Sequence, residues 1–311
     1  KLHYTQGYYS GKAMYGRVDK LNPAKQDSLK QEALKQAKEA DLIIFIGGMN
    51  KNHRQDCEDG DREDYHLSYG QDELIAQLAK VQKNIVVVTF GGDHFATPWA
   101  EKVSAFVHCW YLGSMSGHSL CDVLSGKVNP SGRLPVTFGK EQADYPCFQY
   151  GKEGYPGVNK QVYYKEGICV GYRWCDTKKV GPSFPFGYGL SYTTFKYGKA
   201  SADISEMSAA GSVKVSIDVT NTGKREGKEV VQLYIGDEEC SIDRPTKGLR
   251  IFEKISLLPG ETKTVTFTIT ADDLKFFSEQ QHQWIVEPGI FKAYIGSNVT
   301  DIRSEVVFKV K

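Results

Sequence analysis

The chain has 311 residues, 40% apolar and 25% charged, and its 39 basic and 38 acidic residues leave a net charge of +1. That balance gives no global basic field to hold a phosphate backbone, so nucleic acid is not an expected partner. No apolar run approaches the ~20 residues that span a bilayer, and the length predicts about two domains with a substantial core.

The sequence starts at Lys1 with no basic-then-apolar leader, and we read it as a piece of a longer polypeptide. Seven cysteines, at 57, 109, 121, 147, 169, 175 and 240, form no C-x-x-C pair. That spacing argues against a zinc ribbon or a thioredoxin-like site. Cys109 and Cys121 sit in apolar surroundings and are predicted to be small buried hydrophobes.

In chain order, residues 26–40 place Leu29, Ala33, Leu34 and Ala37 at helical spacing, which predicts an amphipathic helix. Leu42 to Ile46 is a continuous apolar run closed by Gly47-Gly48, predicted as a strand buried on both faces. The pattern repeats with a helix over 70–80 and a strand over 85–90 closed by Gly91-Gly92. A third strand over 105–110 and a short helix over 117–124 follow. Strand, helix, strand at this spacing predicts an α/β three-layer sandwich with a mostly parallel sheet. Ligands bind such sheets beyond the carboxyl ends of the strands. The loop after the first strand, residues 49–69, is the longest and most polar, so chemistry is sought there.

Residues 139–195 are rich in Gly, Pro, Tyr and Phe and are too aromatic for a flexible linker. They are expected to pack at a fixed interface. From about residue 195 the period changes to two. Runs near 213–219, 231–235, 251–257, 265–269, 284–286, 291–295 and 306–310 alternate apolar with polar residues between turns such as Asn221-Thr222-Gly223 and Pro259-Gly260. About seven short strands spaced in this way predict an all-β immunoglobulin-like sandwich. The expected division is therefore 1–195 and 196–311.

The loop carries Asp56, Glu58, Asp59, Asp61, Glu63 and Asp64, six carboxylates in nine residues. One reading is a solvated acidic turn. A calcium loop needs oxygen ligands at alternate positions around a glycine at the sixth. Gln55, Cys57 and Asp59 fall at those positions before Gly60, so that pattern fails, and no metal or cofactor is called for. A third reading is a general acid. Crowded carboxylates keep one member protonated near neutrality, and a carboxylic acid beyond a strand end can protonate a leaving group. Composition alone leaves the first and third readings open. His53 and Arg62 in the same loop are candidate contacts for a substrate, although Arg62 is as well suited to steering the loop through a carboxylate. His94 and His118 lie near strand ends, and Trp110 is read as core. Asn298-Val299-Thr300 is a glycosylation sequon whose relevance depends on the secretory route.

Several segments together resemble glycoside hydrolase family 3, the β-glucosidase and β-xylosidase family. Glu58-Asp59-Gly60-Asp61-Arg62 is similar to that family's E-G-x-D-R signature, and Gly70 to Ile75 (GQDELI) follows it as in the family. Trp110-Tyr111-Leu112-Gly113 is similar to W-Y-P-G, with Leu112 in place of proline. Asp122 to Gly126 with Asn129 to Phe138 (DVLSG … NPSGRLPVTF), and Pro185 to Thr193 (PFGYGLSYT), match further family stretches. The resemblance implies an α/β sandwich domain followed by a fibronectin type III-like domain, with Glu58 as general acid/base. It also implies a preceding (β/α)8 barrel, which this chain lacks and which carries the nucleophilic Asp and most contacts to the sugar. The implied function is a retaining, exo-acting β-glycosidase acting on β-linked glucoside or xyloside oligosaccharides, periplasmic or secreted. The chain alone is expected to be inactive. The rival reading is a non-catalytic module that binds carbohydrate or protein, or a decayed homologue.

Overall fold

The protein is described by a computed structural model, which covers residues 1–11, 21–58, 60 and 62–311. The chain divides into two compact units, Lys1–Cys121 with Phe138–Gln142, and Asp122–Thr137 with Ala143–Lys311.

In the first unit, helix α1 (Pro23–Ala37) starts where Asn22 supplies an N-cap, its Oδ1 accepting from Lys25 N at 3.2 Å, with Pro23 at the first helical position. Strand β1 (Ile43–Gly48) follows, then α2 (Gln71–Val81), β2 (Ile85–Phe90) and β3 (Ala105–His108). The three strands form a parallel sheet in the order β1-β2-β3. Helix α2 packs on β1 and β2, and α1 packs on α2. Leu74, Ile75 and Leu78 are buried with Ile85, Val87 and Val88, as the helical and strand periods anticipated.

Two expectations need correcting. The β1 run is not buried on both faces, since Ile44 is 42% and Ile46 56% exposed. β1 is an edge strand, and only the face that carries Phe45 is covered. Central β2 is the strand closed in on both sides. Nor do Gly47 and Gly48 merely follow β1; they are its last two residues. They continue the ladder, paired with Thr89 and Phe90. Gly48 has φ +118, and a Cβ there would lie 1.9 Å from Phe90 O, so only glycine fits. Cys109 is buried as expected, but Cys121 is exposed.

The second unit holds an antiparallel sandwich. One sheet has the order β10 (Thr262–Thr270), β7 (Ser212–Asn221), β4 (Phe195–Tyr197), with β5 (Ser201–Ala202) also on β7. The other has the order β6 (Glu206–Met207), β14 (Ile302–Val310), β13 (Gly289–Gly296), β8 (Gly227–Asp237), β9 (Gly248–Leu257). β11 (Phe276–Ser278) and β12 (Gln283–Ile285) form a separate ribbon. Val213, Val215, Ile217 and Val219 of β7 meet Val231, Leu233, Val265, Phe267, Phe291 and Phe308 in one core. Their alternation with polar residues is what fixes the strand faces. Residues 143–195 of the aromatic stretch belong to this same unit. The Tyr172 ring stacks on Phe186 at 4.5 Å, and Gln232 Nε2 donates to Gly187 O at 3.1 Å. Arg133 donates to Glu229 at 2.7 Å, with both side chains buried, and Tyr197 OH donates to the other oxygen of Glu229 at 2.8 Å. The sequon is turned inward. Asn298 is 6% exposed, and its Oδ1 accepts from Thr300 N, Thr300 Oγ1 and Asp301 N.

Candidate active site

The acidic loop leaves β1 at its carboxyl end and is fastened by buried amides. Gln71, the first residue of α2, is fully buried. Its Oε1 accepts from Gly48 N at 2.8 Å, and its Nε2 donates to Gly48 O at 2.8 Å and Ser68 O at 2.9 Å. One side chain therefore ties the start of the loop to its end. Asn52 is also buried. Its Nδ2 donates to Ser10 O at 3.1 Å and Tyr69 OH at 3.0 Å. Gln55 reaches the same tyrosine hydroxyl at 2.5 Å.

The loop is also tied to the ends of β2 and β3. Asp56 Oδ2 accepts from Gly92 N at 2.6 Å and from Tyr111 OH at 2.5 Å. Burial pushes the Tyr111 hydroxyl pKa up, and the Asp56 carboxylate that it donates to pushes it further. Tyr111 therefore remains a donor at any working pH. Arg62 is mostly buried, at 14% side-chain exposure. Its Nη2 donates to His94 O at 2.6 Å, its Nη1 lies 2.8 Å from Met49 Sδ, and Asp93 is 3.6 Å away. His94 is hydrogen-bonded to Asp93 through Nδ1. Burial opposes the charge on Asp93, but the His94 bond and charge and the Arg62 charge outweigh it and hold its pKa below the usual carboxylate range. Behind this layer, Asp72 accepts from Trp99 Nε1 at 2.6 Å, and burial raises its pKa against that bond.

Glu58 lies in the turn between these anchors and is exposed, and its backbone oxygen accepts from Cys57 Sγ at 3.0 Å. His53 is half-buried. Its ring covers Gly60 so closely that a Cβ at residue 60 would lie 2.4 Å from His53 Nδ1. That close approach leaves room only for glycine at residue 60. Arg54 pairs with Glu63 at 3.0 Å on the outside. Asp59 and Asp61 lie outside the described residues. The structure thus brings Glu58, His53 and Arg62 onto one loop but gives them different settings: exposed, half-buried and pinned.

Some neighbours differ from expectation. β3 ends at His108, and Trp110 adopts φ +52 and is half-buried. Its ring meets His108 edge-on at 4.3 Å. Burial lowers the His108 pKa to about 4, so it stays neutral, with Nδ1 bonded to Thr89 Oγ1 at 2.9 Å. His94 packs edge-on against Tyr65 and Phe138, whereas His118 is exposed on the helix over Ser116–Leu124. Sequence reasoning missed Gln71, Asp56 and Tyr111 as loop anchors. Gln71 and Tyr111 stood inside segments singled out for resemblance, but no periodicity separates an anchoring amide from a solvated one. Among the described residues no group of three or more His, Cys, Asp or Glu side chains converges as a metal site. No helix among them is long and apolar enough to cross a membrane.

Comparison with known proteins agrees with this architecture. The family model described as "Glycosyl hydrolase family 3 C-terminal domain" matches residues 2–192. The chain belongs to glycosyl hydrolase family 3. A second family model, "Fibronectin type III-like domain", matches residues 229–299. Beta-glucosidase BoGH3A of Bacteroides ovatus is 52% identical over 306 residues, covering 98% of this chain and 41% of its own length. A periplasmic beta-glucosidase of Salmonella typhimurium is 36% identical over 286 residues, covering 91% of this chain and 36% of its own length. Among solved structures, the beta-glucosidase DesR of Streptomyces venezuelae, in complex with D-glucose, superposes with a TM-score of 0.86 at 34% identity. That match covers 93% of this chain and 36% of the other. The chain thus spans about two fifths of the length of the curated relatives it matches.

Proposed function

We propose that this chain is the acid/base-bearing portion of a retaining, exo-acting β-glycosidase of the β-glucosidase type, with Glu58 as the general acid/base. Such a reaction needs two carboxyl groups about 5–5.5 Å apart. One attacks the anomeric carbon. The other protonates the departing glycosidic oxygen and then removes a proton from the incoming water. The chain supplies the second group. The nucleophilic Asp belongs to a barrel domain that works with it. Asp56, the nearest described carboxylate in the loop, is committed to Gly92 and Tyr111 and is an anchor.

The observation that carries this reading is the contrast along one loop. Asp56 and Arg62 on either side of Glu58 are fastened to the strand ends, and Glu58 itself is presented to solvent. A carboxyl group that shuttles a proton to substrate must be both held in place and accessible. Arg62 takes the positioning part, and His53 beside Gly60 is the loop's candidate for a sugar hydroxyl. The substrate is a β-linked glucoside or xyloside oligosaccharide, and the enzyme works in the periplasm or outside the cell.

The test is hydrolysis of a panel of aryl β-glycosides by the 311-residue chain alone, with Glu58→Ala as control. Silence from both is expected of half a catalytic pair. Turnover by the wild type that the variant loses would place a second carboxylate within this chain. To separate the half-site from a merely non-catalytic binding module, a barrel domain from a relative is added. Activity restored only with Glu58 present supports the proposal.

A further inference from the structure

A cleft of about 490 Å³ opens within the second unit, with one wall from residues 126–131 and the other from residues 225–228, where the chain passes from β7 to β8. Asn129 ties the walls together. Its Nδ2 donates to Glu226 O at 2.9 Å, and its Oδ1 accepts from Tyr192 N at 2.8 Å and Ser191 Oγ at 3.0 Å. Arg225 lines the cleft and is exposed. The carbon of its guanidinium lies 5.8 Å from the centroid of the Tyr192 ring. That ring is fixed in turn, since Tyr192 OH donates to Val123 O at 2.8 Å. Gly126, at φ +75, passes so close that a Cβ there would lie 3.0 Å from Arg225 Nη1 and 3.3 Å from Nη2. The guanidinium is thus held between a ring face and a backbone Cα, and neither accepts its N–H groups.

Three cations, Lys127, Arg225 and Lys228, and one carboxylate, Glu226, line the cleft. Lys127 is paired with Asp122 at 3.0 Å, and Glu226 accepts from Ser256 Oγ at 2.8 Å. Arg225 and Lys228 have no carboxylate partner among the described residues. The local field is positive. Burial, and after it the charges of Lys228 and Arg133, hold the Lys254 ammonium pKa below its usual value. A guanidinium presents a planar fork of N–H donors that matches two oxygens of a carboxylate or phosphate. A fork already ordered by its neighbours loses less freedom when an anion arrives. We propose that this cleft is an oxyanion-binding site, in which Arg225 takes two oxygens of the anion and Lys228 supplies a second positive charge. The ligand is a small oxyanion, either free phosphate or the carboxylate of an acidic sugar. The site is independent of the role given to Glu58.

The experiment is calorimetric titration of the 311-residue chain with inorganic phosphate and with D-glucuronate at low ionic strength, with D-glucose as the neutral competitor. Saturable binding of millimolar affinity is expected for an anion, weakening severalfold as sodium chloride is raised. Arg225→Gln removes the charge and the fork, and affinity should fall about tenfold or more. Arg225→Lys keeps the charge without the fork and should lose about threefold. Lys214→Gln makes the same charge change near the start of β7, whereas the cleft follows the end of that strand, and should leave affinity unchanged. Tighter binding of D-glucuronate identifies the acidic sugar as the source of the anion, and tighter binding of phosphate identifies the free ion. The proposal is overturned if neither anion saturates, if Arg225→Gln binds as the wild type does, or if Lys214→Gln weakens binding equally. Competition by D-glucose as strong as that of D-glucuronate would overturn it too. Should Arg225→Gln fail to fold, Lys228→Gln carries the test, with a loss of about threefold expected and unchanged affinity contradicting the site.

Discussion

The clamp formed by Gln71 is the firmest link between the fold and the candidate site, and Gln71→Leu breaks it with little change in volume. The substitution removes three hydrogen bonds, to Gly48 N, Gly48 O and Ser68 O, at a fully buried position. Each is worth about 1 kcal/mol net, and a buried group left unmade costs about 1–3 kcal/mol. The carbonyls keep a second lone pair and lose less than the N–H. We therefore expect about 3–5 kcal/mol of destabilisation, a large share of the ~5–15 kcal/mol available to a domain. Urea unfolding followed by near-UV circular dichroism measures it, provided the slope with denaturant stays constant. Hydrogen exchange should localise the damage, with faster exchange across residues 49–69 and at Gly48, and less effect at the centre of β2. A loss below about 1 kcal/mol, or exchange that quickens evenly over the whole sheet, would refute the clamp.

Further expectations follow from the same geometry. Gly60→Ala drives a Cβ to 2.4 Å from His53 Nδ1. In the barrel-complemented enzyme it should lower both the melting temperature and kcat/KM, the latter about tenfold or more, and adding His53→Ala should recover part of the stability but not the rate. Tyr111→Phe removes the donor to Asp56 and should cost about 1–2 kcal/mol in urea unfolding, since the acceptor is charged but the site half-open. The pH dependence of the first unit should carry His108. Its folded-state pKa of about 4 lies below the ordinary value of 6.5, so the unfolded chain binds the proton first. Stability is then full above about pH 6.5 and falls as pH drops towards 4, by at most about 3 kcal/mol. His108→Gln should flatten that slope, and an unchanged slope would assign it to other groups. Arg133→Ala leaves Glu229 buried without its cation and should cost about 3–5 kcal/mol in thermal or urea unfolding.

Periodicity made most of the architecture legible. The alternation of Val213, Val215, Ile217 and Val219 has one physical solution, a strand with one face in a core, and β7 adopts it. The apolar runs at 43–48 and 85–90 likewise became parallel neighbours. Exposure was less legible. A run such as Ile43 to Ile46 records that the residues are apolar, not how many of their faces are covered, and the face that carries Ile44 and Ile46 is open. Trp110 was hidden for a related reason. Its left-handed backbone is a rare state for a bulky residue, set by the turn between β3 and Gly113 and not by its own preference. The acidic loop was visible as charge, but composition treated its carboxylates alike. Only coordinates separate Asp56, spent on Gly92 and Tyr111, from exposed Glu58. The close approach of His53 to Gly60 connects residues seven apart through a turn of no regular period, so no sequence template registers it.

The central claim is that Glu58 gives and takes the proton. Its most direct measurement is the leaving-group dependence of Glu58→Ala in the enzyme assembled with its barrel domain. Pre-steady-state rates of glycosyl transfer to the enzyme would be compared for a dinitrophenyl glucoside, whose leaving group needs no proton, and an alkyl glucoside, whose leaving group does. With Glu58 as the acid, the first should keep most of its rate and the second should fall by about 10²–10⁴, the range of general acid catalysis. Added azide should then speed turnover of the aryl substrate by replacing base-assisted water. Equal losses on both substrates, or none on either, would contradict the assignment of Glu58.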